Sequence, residues 1–193
     1  RPGEKILPWT KGTASPETKR MQLTSWTVIF KSLYSVFSLR NSLILAFILF
    51  VTQGSFNFIA TLLPIFTVKA LGWTNITYSQ FFGTASLIGG IVGMLLGGIL
   101  IEKFGKRRMM NIYFLLLIIL TVSFSLFRAN WGASWMITSF MVLYQILYVF
   151  SCIGIFSIAM ECCWKKVSAS QFTLYMTVAN LGRLAGAKLI GPI

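Results

Sequence analysis

Two amide side chains and an arginine lie in a mostly apolar stretch near the end of the chain. Ser168 to Arg183 (SASQFTLYMTVANLGR) contains Gln171, Asn180 and Arg183. On a helix, Asn180 and Arg183 lie on adjacent parts of one face, and Arg183 lies about 22 Å from the helix start. A guanidinium without a counter-charge at that depth of a membrane costs several kcal/mol. We therefore expect Arg183 to face a wet cavity, with a polar, anionic solute or an acid outside this stretch as its counter-charge.

Gln171 has a structural interpretation as well. Ser168 is a suitable N-cap, and a glutamine three residues later completes a capping box. The sequence leaves open whether Gln171 binds a solute or only helps to start its helix.

Further polar residues interrupt other apolar stretches. Gln53 and Asn57 lie in one stretch, and Gln145 lies in another beside Tyr144 and Tyr148. Amide groups of this kind bind polar solutes in aqueous cavities, and they also form hydrogen bonds between helices. Both interpretations stand as alternatives for each of Gln53, Asn57 and Gln145.

The composition shows what medium surrounds these residues. Hydrophobic residues make up 56% of the 193 and charged residues 11%, with a net charge of +13. Such a chain is an integral membrane protein whose basic excess marks cytoplasmic loops rather than a nucleic-acid surface. His and Asp are absent, which argues against a membrane-embedded enzyme, and we expect no metal site and no cofactor. We interpret Cys152, Cys162 and Cys163 as packing residues.

The elements that must position the polar residues are membrane-spanning helices, because an uncapped sheet leaves backbone groups unpaired in lipid. Five stretches are long enough to span, namely 41–68, 79–101, 109–127, 134–160 and 168–193. We predict an all-α bundle over 41–193, preceded by a linker over 1–24 and an amphipathic interfacial helix over 25–40. Gly89, Gly93 and Gly97 recur every fourth residue and predict close packing against a neighbouring helix.

The basic residues predict the orientation. Opposite ends of the predicted spans carry very different numbers of them, and one side holds only Lys69 and Arg128. The other side holds Arg1, Lys5, Lys11, Lys19, Arg20, Lys31, Arg40, Lys103, Lys106, Arg107, Arg108, Lys165 and Lys166. By the positive-inside rule that side, with residue 1, is cytoplasmic. We also expect an ion pair between Glu161 and Lys165, four residues apart.

The loop after the second stretch, GGILIEKFGKRR, resembles the signature loop of the major facilitator superfamily, Gly-x-Leu-x-Asp-Arg-x-Gly-Arg-Arg. The matching positions are Gly98, Leu100, Glu102, Lys103, Gly105, Lys106 and Arg107. The resemblance implies half of a twelve-helix fold, with its last helix missing and an N-terminal half as partner. It also implies that the loop is a latch between conformations, in which Gly105 permits a tight turn and Glu102 pairs with a cation or a helix N-terminus. A merely basic cytoplasmic loop is the alternative.

A second resemblance is to the AmpG-type muropeptide permeases, a branch that includes acetyl-coenzyme A transporters. It rests on Met160, Cys163, Lys165, Ser168, Ala169, Gln171, Phe172, Leu174, Ala179, Gly182 and Arg183. This resemblance implies a proton-coupled carrier that imports a peptidoglycan fragment across a bacterial inner membrane. The branch carries a Lys and an Asp in the seventh helix where this chain has Gln53 and Asn57, so a carrier of another organic solute, such as a sugar, peptide or acyl-CoA, is the alternative. A membrane-embedded enzyme and a non-transporting sensor are further alternatives.

Overall fold

The computed structural model describes residues 31, 34–35, 38–128, 131–165 and 167–191. Within these ranges the chain is all-α and contains no strand. The helices are α1 (Arg40–Leu71), α2 (Asn75–Phe104), α3 (Lys106–Leu126), α4 (Ser134–Glu161) and α5 (Ser168–Lys188). The expected all-α integral membrane fold is confirmed. The predicted linker over 1–24 and most of the predicted interfacial helix over 25–40 lie outside the described residues.

Four of the helices, α1 to α4, are long and apolar enough to cross a membrane. The fifth, α5, has 21 residues, or about 31 Å, which is enough to span, but its polar side chains lower its apolar content. It packs along α1 instead of facing lipid on all sides. Residues 45–49 of α1 pack with residues 175–179 of α5, and residues 50–54 pack with residues 182–186. The two helices therefore run in the same direction at the same depth.

The helix boundaries differ from the predicted ones by a few residues. α2 begins at Asn75 instead of 79, because the Thr74 hydroxyl accepts the Thr77 N–H at 3.1 Å and so caps the helix. α3 begins at Lys106 instead of 109. α5 ends at Lys188 rather than continuing to 193. Local caps and turns set these ends, and hydropathy does not report them.

The predicted glycine packing of α2 is confirmed. Gly89 lies against the backbone of Gln145 on α4, and Gly93 and Gly97 lie against Ile153 of the same helix. The backbone over Gly93–Gly97 is a short π-helical turn inside α2. Small residues allow two helix backbones to approach closely in lipid, so this strip joins α2 to α4.

Tight turns join the helices at two glycines with positive φ. Gly72 (φ 67°) ends α1, and Gly105 (φ 87°) forms the whole connection between α2 and α3. Side chains with a Cβ rarely adopt these conformations. The turn that the sequence predicted at Gly105 is therefore present.

Candidate functional site

Four side chains from three helices form one hydrogen-bonded cluster around Arg183. Arg183 Nε donates to Gln53 Oε1 at 2.8 Å, and its Nη2 donates to the Tyr148 hydroxyl at 3.2 Å. Tyr148 in turn donates to Gln53 Oε1 at 3.0 Å, and Gln53 Nε2 donates to Cys152 Sγ at 3.5 Å. We call these four residues, Gln53, Tyr148, Cys152 and Arg183, together with Asn57, which binds the Arg183 backbone, the Arg183 cluster.

Glycines bring α5 close enough to α1 for this cluster to form. Gly182 packs on the backbone of Phe50, and Gly186 packs on the backbone of Gly54. A Cβ at Gly182 or Gly186 would overlap that backbone, so the two glycines set the separation of the helices. Arg183, directly after Gly182, therefore reaches Gln53 from a short distance.

Asn57 completes the cluster through the backbone. Its Nδ2 donates to the carbonyl oxygen of Arg183 at 2.8 Å. Within the described part of the chain, its amide oxygen and the remaining N–H groups of Arg183 have no hydrogen-bond partner, so they are available to a solute. Asn180, one turn before Arg183 on α5, is exposed like Arg183 itself.

The cluster holds a positive charge among neutral groups. Gln53 is completely buried (0% exposed), whereas Arg183 is exposed at the surface of the bundle. Arg183 forms no ion pair with any carboxylate of the described residues, in which the ion pair is Lys106–Glu161. The geometry thus orients a guanidinium without neutralising it, and an oriented guanidinium can bind a carboxylate or phosphate through two hydrogen bonds.

The exposed face of α5 carries polar side chains along its length, interspersed with the exposed leucines Leu174, Leu181 and Leu184. Thr173 and Thr177 lie on the same side as Asn180 and Arg183, and all four are exposed. The Thr173 hydroxyl donates to the Ala169 carbonyl at 2.9 Å, and the Thr177 hydroxyl donates to the Thr173 carbonyl at 3.0 Å. Their oxygens can still accept hydrogen bonds, so this face suits contact with water or a polar solute.

Aromatic rings connect the cluster to a neighbouring cleft. The Tyr148 ring stacks on Phe56 with an interplanar angle of 9°, and Phe56 also stacks on Tyr144 at a centroid distance of 5.8 Å. These three rings line a largely apolar cleft of about 500 Å³ between α1, α3 and α4. Tyr148 therefore has its ring in the cleft and its hydroxyl on Arg183.

Gln145 lies apart from the Arg183 cluster, at the contact between α2 and α4. Its Nε2 donates to Ser86 Oγ at 2.7 Å, and its buried Oε1 has no hydrogen-bond partner among the described residues. This geometry matches the helix-bridging alternative. A solute-binding role for Gln145 stays a prediction.

Gln171 is buried at the connection between α4 and α5. Its Oε1 accepts the Trp164 N–H at 2.8 Å, and its Nε2 donates to the Cys162 carbonyl at 3.3 Å and the Tyr175 hydroxyl at 3.1 Å. The expected capping box is wrong, because Val167 is the N-cap of α5 and makes no side-chain cap. Gln171 ties α5 to the connection that precedes it, about 18 Å along the helix from Arg183.

The expected latch loop contains one ion pair, with an unexpected partner. Lys106 Nζ lies 3.1 Å from Glu161 Oε2, so the predicted pairing of Glu161 with Lys165 is wrong. The pair is exposed and joins the start of α3 to the end of α4. Lys103 Nζ lies 5.6 Å from the centre of the Phe104 ring. The other predicted latch residues, Gly98, Glu102, Gly105 and Arg107, are exposed.

The cysteines pack among helices, and one of them also joins the Arg183 cluster. Cys163 Sγ donates to the Ala159 carbonyl at 3.1 Å. Burial raises the pKa of the Cys163 thiol, and the neighbouring Cys162 raises it further, so Cys163 is a weak nucleophile. In the described part of the chain, no three His, Cys, Asp or Glu side chains are grouped to hold a metal ion.

The sequence predicts no site role for Tyr148, which it places only beside Gln145, for Cys152, which it predicts to be a packing residue, or for Gly182 and Gly186 of the α1–α5 contact. A signal for the glycines was available, since Gly182 and Gly186 are four residues apart in an apolar stretch. No comparable signal marks Cys152, whose partner Gln53 is 99 residues away.

Comparison with known proteins identifies the family. The family model described as Major Facilitator Superfamily matches residues 4–187 of the chain. No curated protein and no solved structure matches.

Proposed function

The chain belongs to the Major Facilitator Superfamily, and we propose that it is the C-terminal half of a secondary active transporter for a polar, anionic solute. Its five helices and apolar spans fit half of a major facilitator fold. The N-terminal half of the same transporter is the proposed partner. Alternating access arises when the two halves rock about a site near the middle of the membrane.

One observation carries this proposal. Arg183 is oriented by Gln53 and Tyr148, remains exposed, and has no carboxylate partner within the described residues. A positive charge at such depth is stable only if water or an anion reaches it. The anionic cargo, or an acid of the N-terminal half, is the proposed counter-charge.

The proposed cargo is a peptidoglycan-derived muropeptide. Its carboxylates suit the guanidinium of Arg183, and its hydroxyl and amide groups suit Asn57, Asn180 and the accepting oxygens of Thr173 and Thr177. Gln53 orients Arg183 from behind. Gln145 and Gln171, whose amides lie between helices, are proposed to support the shape of the site.

The proposed driving force is a proton gradient. Between residues 40 and 193 the chain has only Glu102 and Glu161 as acids, and neither lies in the middle of a helix. A carboxylate that carries the proton must therefore come from the N-terminal half in this proposal. The proposed location is the bacterial inner membrane, with residue 1 on the cytoplasmic side.

The test is uptake by the full transporter after substitution of Arg183. Arg183→Ala should abolish uptake of a labelled anhydromuropeptide while expression and membrane insertion stay at the parent level. Arg183→Lys keeps the charge but loses the two-pronged geometry, so it should retain partial uptake. Lys188→Gln removes a cation from the exposed last turn of the same helix and should leave uptake unchanged. Normal uptake by Arg183→Ala would remove this residue from the mechanism.

A second candidate is a carrier of another organic solute, because this chain has the uncharged residues Gln53 and Asn57 in the helix where the AmpG-type branch carries a Lys and an Asp, and of the two the Asn57 amide oxygen is available to a solute. Amide groups bind hydroxyls and amides without requiring charge. Uptake of a sugar, a peptide or an acyl-CoA-like solute that depends on Arg183, with no uptake of anhydromuropeptide, would select this candidate.

A further inference from the structure

A small cleft lies away from the Arg183 cluster, at the end of the bundle where α1 and α3 begin and α4 ends. Its volume is about 270 Å³. Its polar lining residues are Asn41, Arg107 and Asn111, and its apolar lining residues are Ile44, Leu45, Ile48, Met110 and Ile158, with Cys162 at the end of α4. Asn41 and Arg107 lie in the first turns of α1 and α3, Asn111 lies one turn further along α3, and the lining of α1 beyond Asn41 is apolar as far as Ile48.

Arg107 keeps its positive charge available in this cleft. The nearest acid along α4 is Glu161, beside Cys162, but its carboxylate is engaged by Lys106 at 3.1 Å. Within the described residues, Arg107 itself forms no ion pair. Asn111 follows Arg107 by one helical turn and presents its amide on the same face of α3.

Two helix N-termini add to the positive potential. α1 begins at Arg40 and α3 begins at Lys106, and neither helix has an acidic residue in its first turn. Helix N-termini carry a partial positive charge and unpaired N–H groups, which favour phosphate. The cleft therefore favours an anionic group, which Arg107, the amides of Asn41 and Asn111, and the N-termini of α1 and α3 would bind together.

The order of the residues identifies the rest of the ligand. Asn41 is in the first turn of α1, Ile44 lies about 4.5 Å deeper and Ile48 about 10 Å deeper along the helix axis. A soluble phosphate ester has no use for an apolar wall that runs toward the membrane interior. A phospholipid has its phosphate at the interface and its acyl chain below it, in the same order as Asn41, Ile44 and Ile48 along α1.

We propose that the cleft formed by Asn41, Arg107, Asn111, Ile44 and Ile48 binds an anionic glycerophospholipid, with the phosphodiester on Arg107 and the first part of an acyl chain along α1. This site is separate from the proposed cargo site. It rests on the membrane-spanning fold and not on the identity of the cargo.

The experiment measures lipid binding to the purified full transporter in detergent by native mass spectrometry, with phosphatidylglycerol and phosphatidylcholine as probes. The parent should prefer phosphatidylglycerol. Arg107→Gln should weaken phosphatidylglycerol binding about tenfold, the loss expected for one charge-assisted hydrogen bond. Arg108→Gln is the matched control, because Arg108 is also an exposed cation, lies next to Arg107 in the chain and does not line the cleft.

A second substitution separates a lipid from a soluble phosphate. Ile44→Asn alters an exposed apolar wall residue, so it should weaken phosphatidylglycerol binding without unfolding the protein. Competition with inorganic phosphate at millimolar concentration should leave most of the lipid bound.

Three results would overturn the proposal. Equal weakening by Arg107→Gln and Arg108→Gln would show diffuse attraction to the basic surface instead of a site. Equal binding of the two lipids by the parent would show that charge is not recognised. Full displacement by inorganic phosphate, with no effect of Ile44→Asn, would assign the cleft to a soluble phosphate. None of these results depends on uptake, so each is distinct from failure of the proposed function.

Discussion

Replacing Gln53 by glutamate would supply Arg183 with a permanent counter-charge. The glutamate has the same shape, and its oxygen would lie where Gln53 Oε1 now accepts from Arg183 Nε at 2.8 Å and from Tyr148 at 3.0 Å. The Cys152 thiol can donate to the second oxygen in place of the present contact at 3.5 Å. Every present partner therefore keeps a hydrogen bond after Gln53→Glu.

The expected energies follow from this geometry. Opposite charges about 4 Å apart attract by about 4 kcal/mol at an effective dielectric constant of 20. Gln53 is fully buried, so the new carboxylate also loses several kcal/mol of hydration, and the two effects nearly cancel. Gln53→Glu should therefore keep the free energy of unfolding within about 1 kcal/mol of the parent.

The same substitution should strongly weaken uptake of an anionic solute. The cargo would lose most of its attraction to Arg183, because the introduced carboxylate would already neutralise the guanidinium. Solvent screens the exposed side of Arg183, so we expect about 1.4 kcal/mol or more, which corresponds to a KM at least about tenfold higher. Uptake of a labelled anhydromuropeptide into proteoliposomes measures KM, and thermal unfolding in detergent measures stability.

Two control variants separate pairing from simple disruption. Gln53→Leu removes the acceptor of both donors and should lower the free energy of unfolding by about 2 kcal/mol. Gln145→Glu places a carboxylate beside Ser86, with no cation among its hydrogen-bond partners, and should destabilise the protein more than Gln53→Glu does. An unchanged KM in Gln53→Glu, or a loss of stability equal to that of Gln145→Glu, would refute the reasoning that Arg183 is an uncompensated charge awaiting an anion.

Two other predictions concern packing and the loop between α2 and α3. Gly182→Ala should destabilise the protein by about 1–3 kcal/mol in thermal unfolding, because the added Cβ overlaps the backbone of α1. The control is Gly83→Ala, which lies in open space on α2 and should be neutral or slightly stabilising. Equal effects of the two substitutions would contradict close packing of α1 against α5. Glu102→Gln should shift the balance between inward-facing and outward-facing states, measured as the labelling of a cysteine introduced at exposed Thr177 from each side of the membrane. Glu161→Gln breaks only the exposed pair with Lys106 and should shift this balance less, so an equal shift from both variants would argue against a specific role of Glu102 as a latch.

Local features of the chain were sufficient for the fold class and several contacts. Long apolar runs can only be helices in lipid, and the spacing of Gly89, Gly93 and Gly97 on one face predicted the packing that α2 makes with α4. The turn at Gly105 also followed from the sequence, because only glycine adopts its backbone conformation readily. These properties depend on residues that are near one another in the chain.

The partners of the polar side chains followed from the assembly of the helices. Arg183 binds Gln53 from 130 positions away, and Glu161 binds Lys106 from 55 positions away in place of its near neighbour Lys165. The periodicity of a helix gives the face on which a polar residue lies but not the neighbour that this face meets. That neighbour is set by which helices pack together and at what depth, and for Arg183 both depend on the glycine contact between α5 and α1.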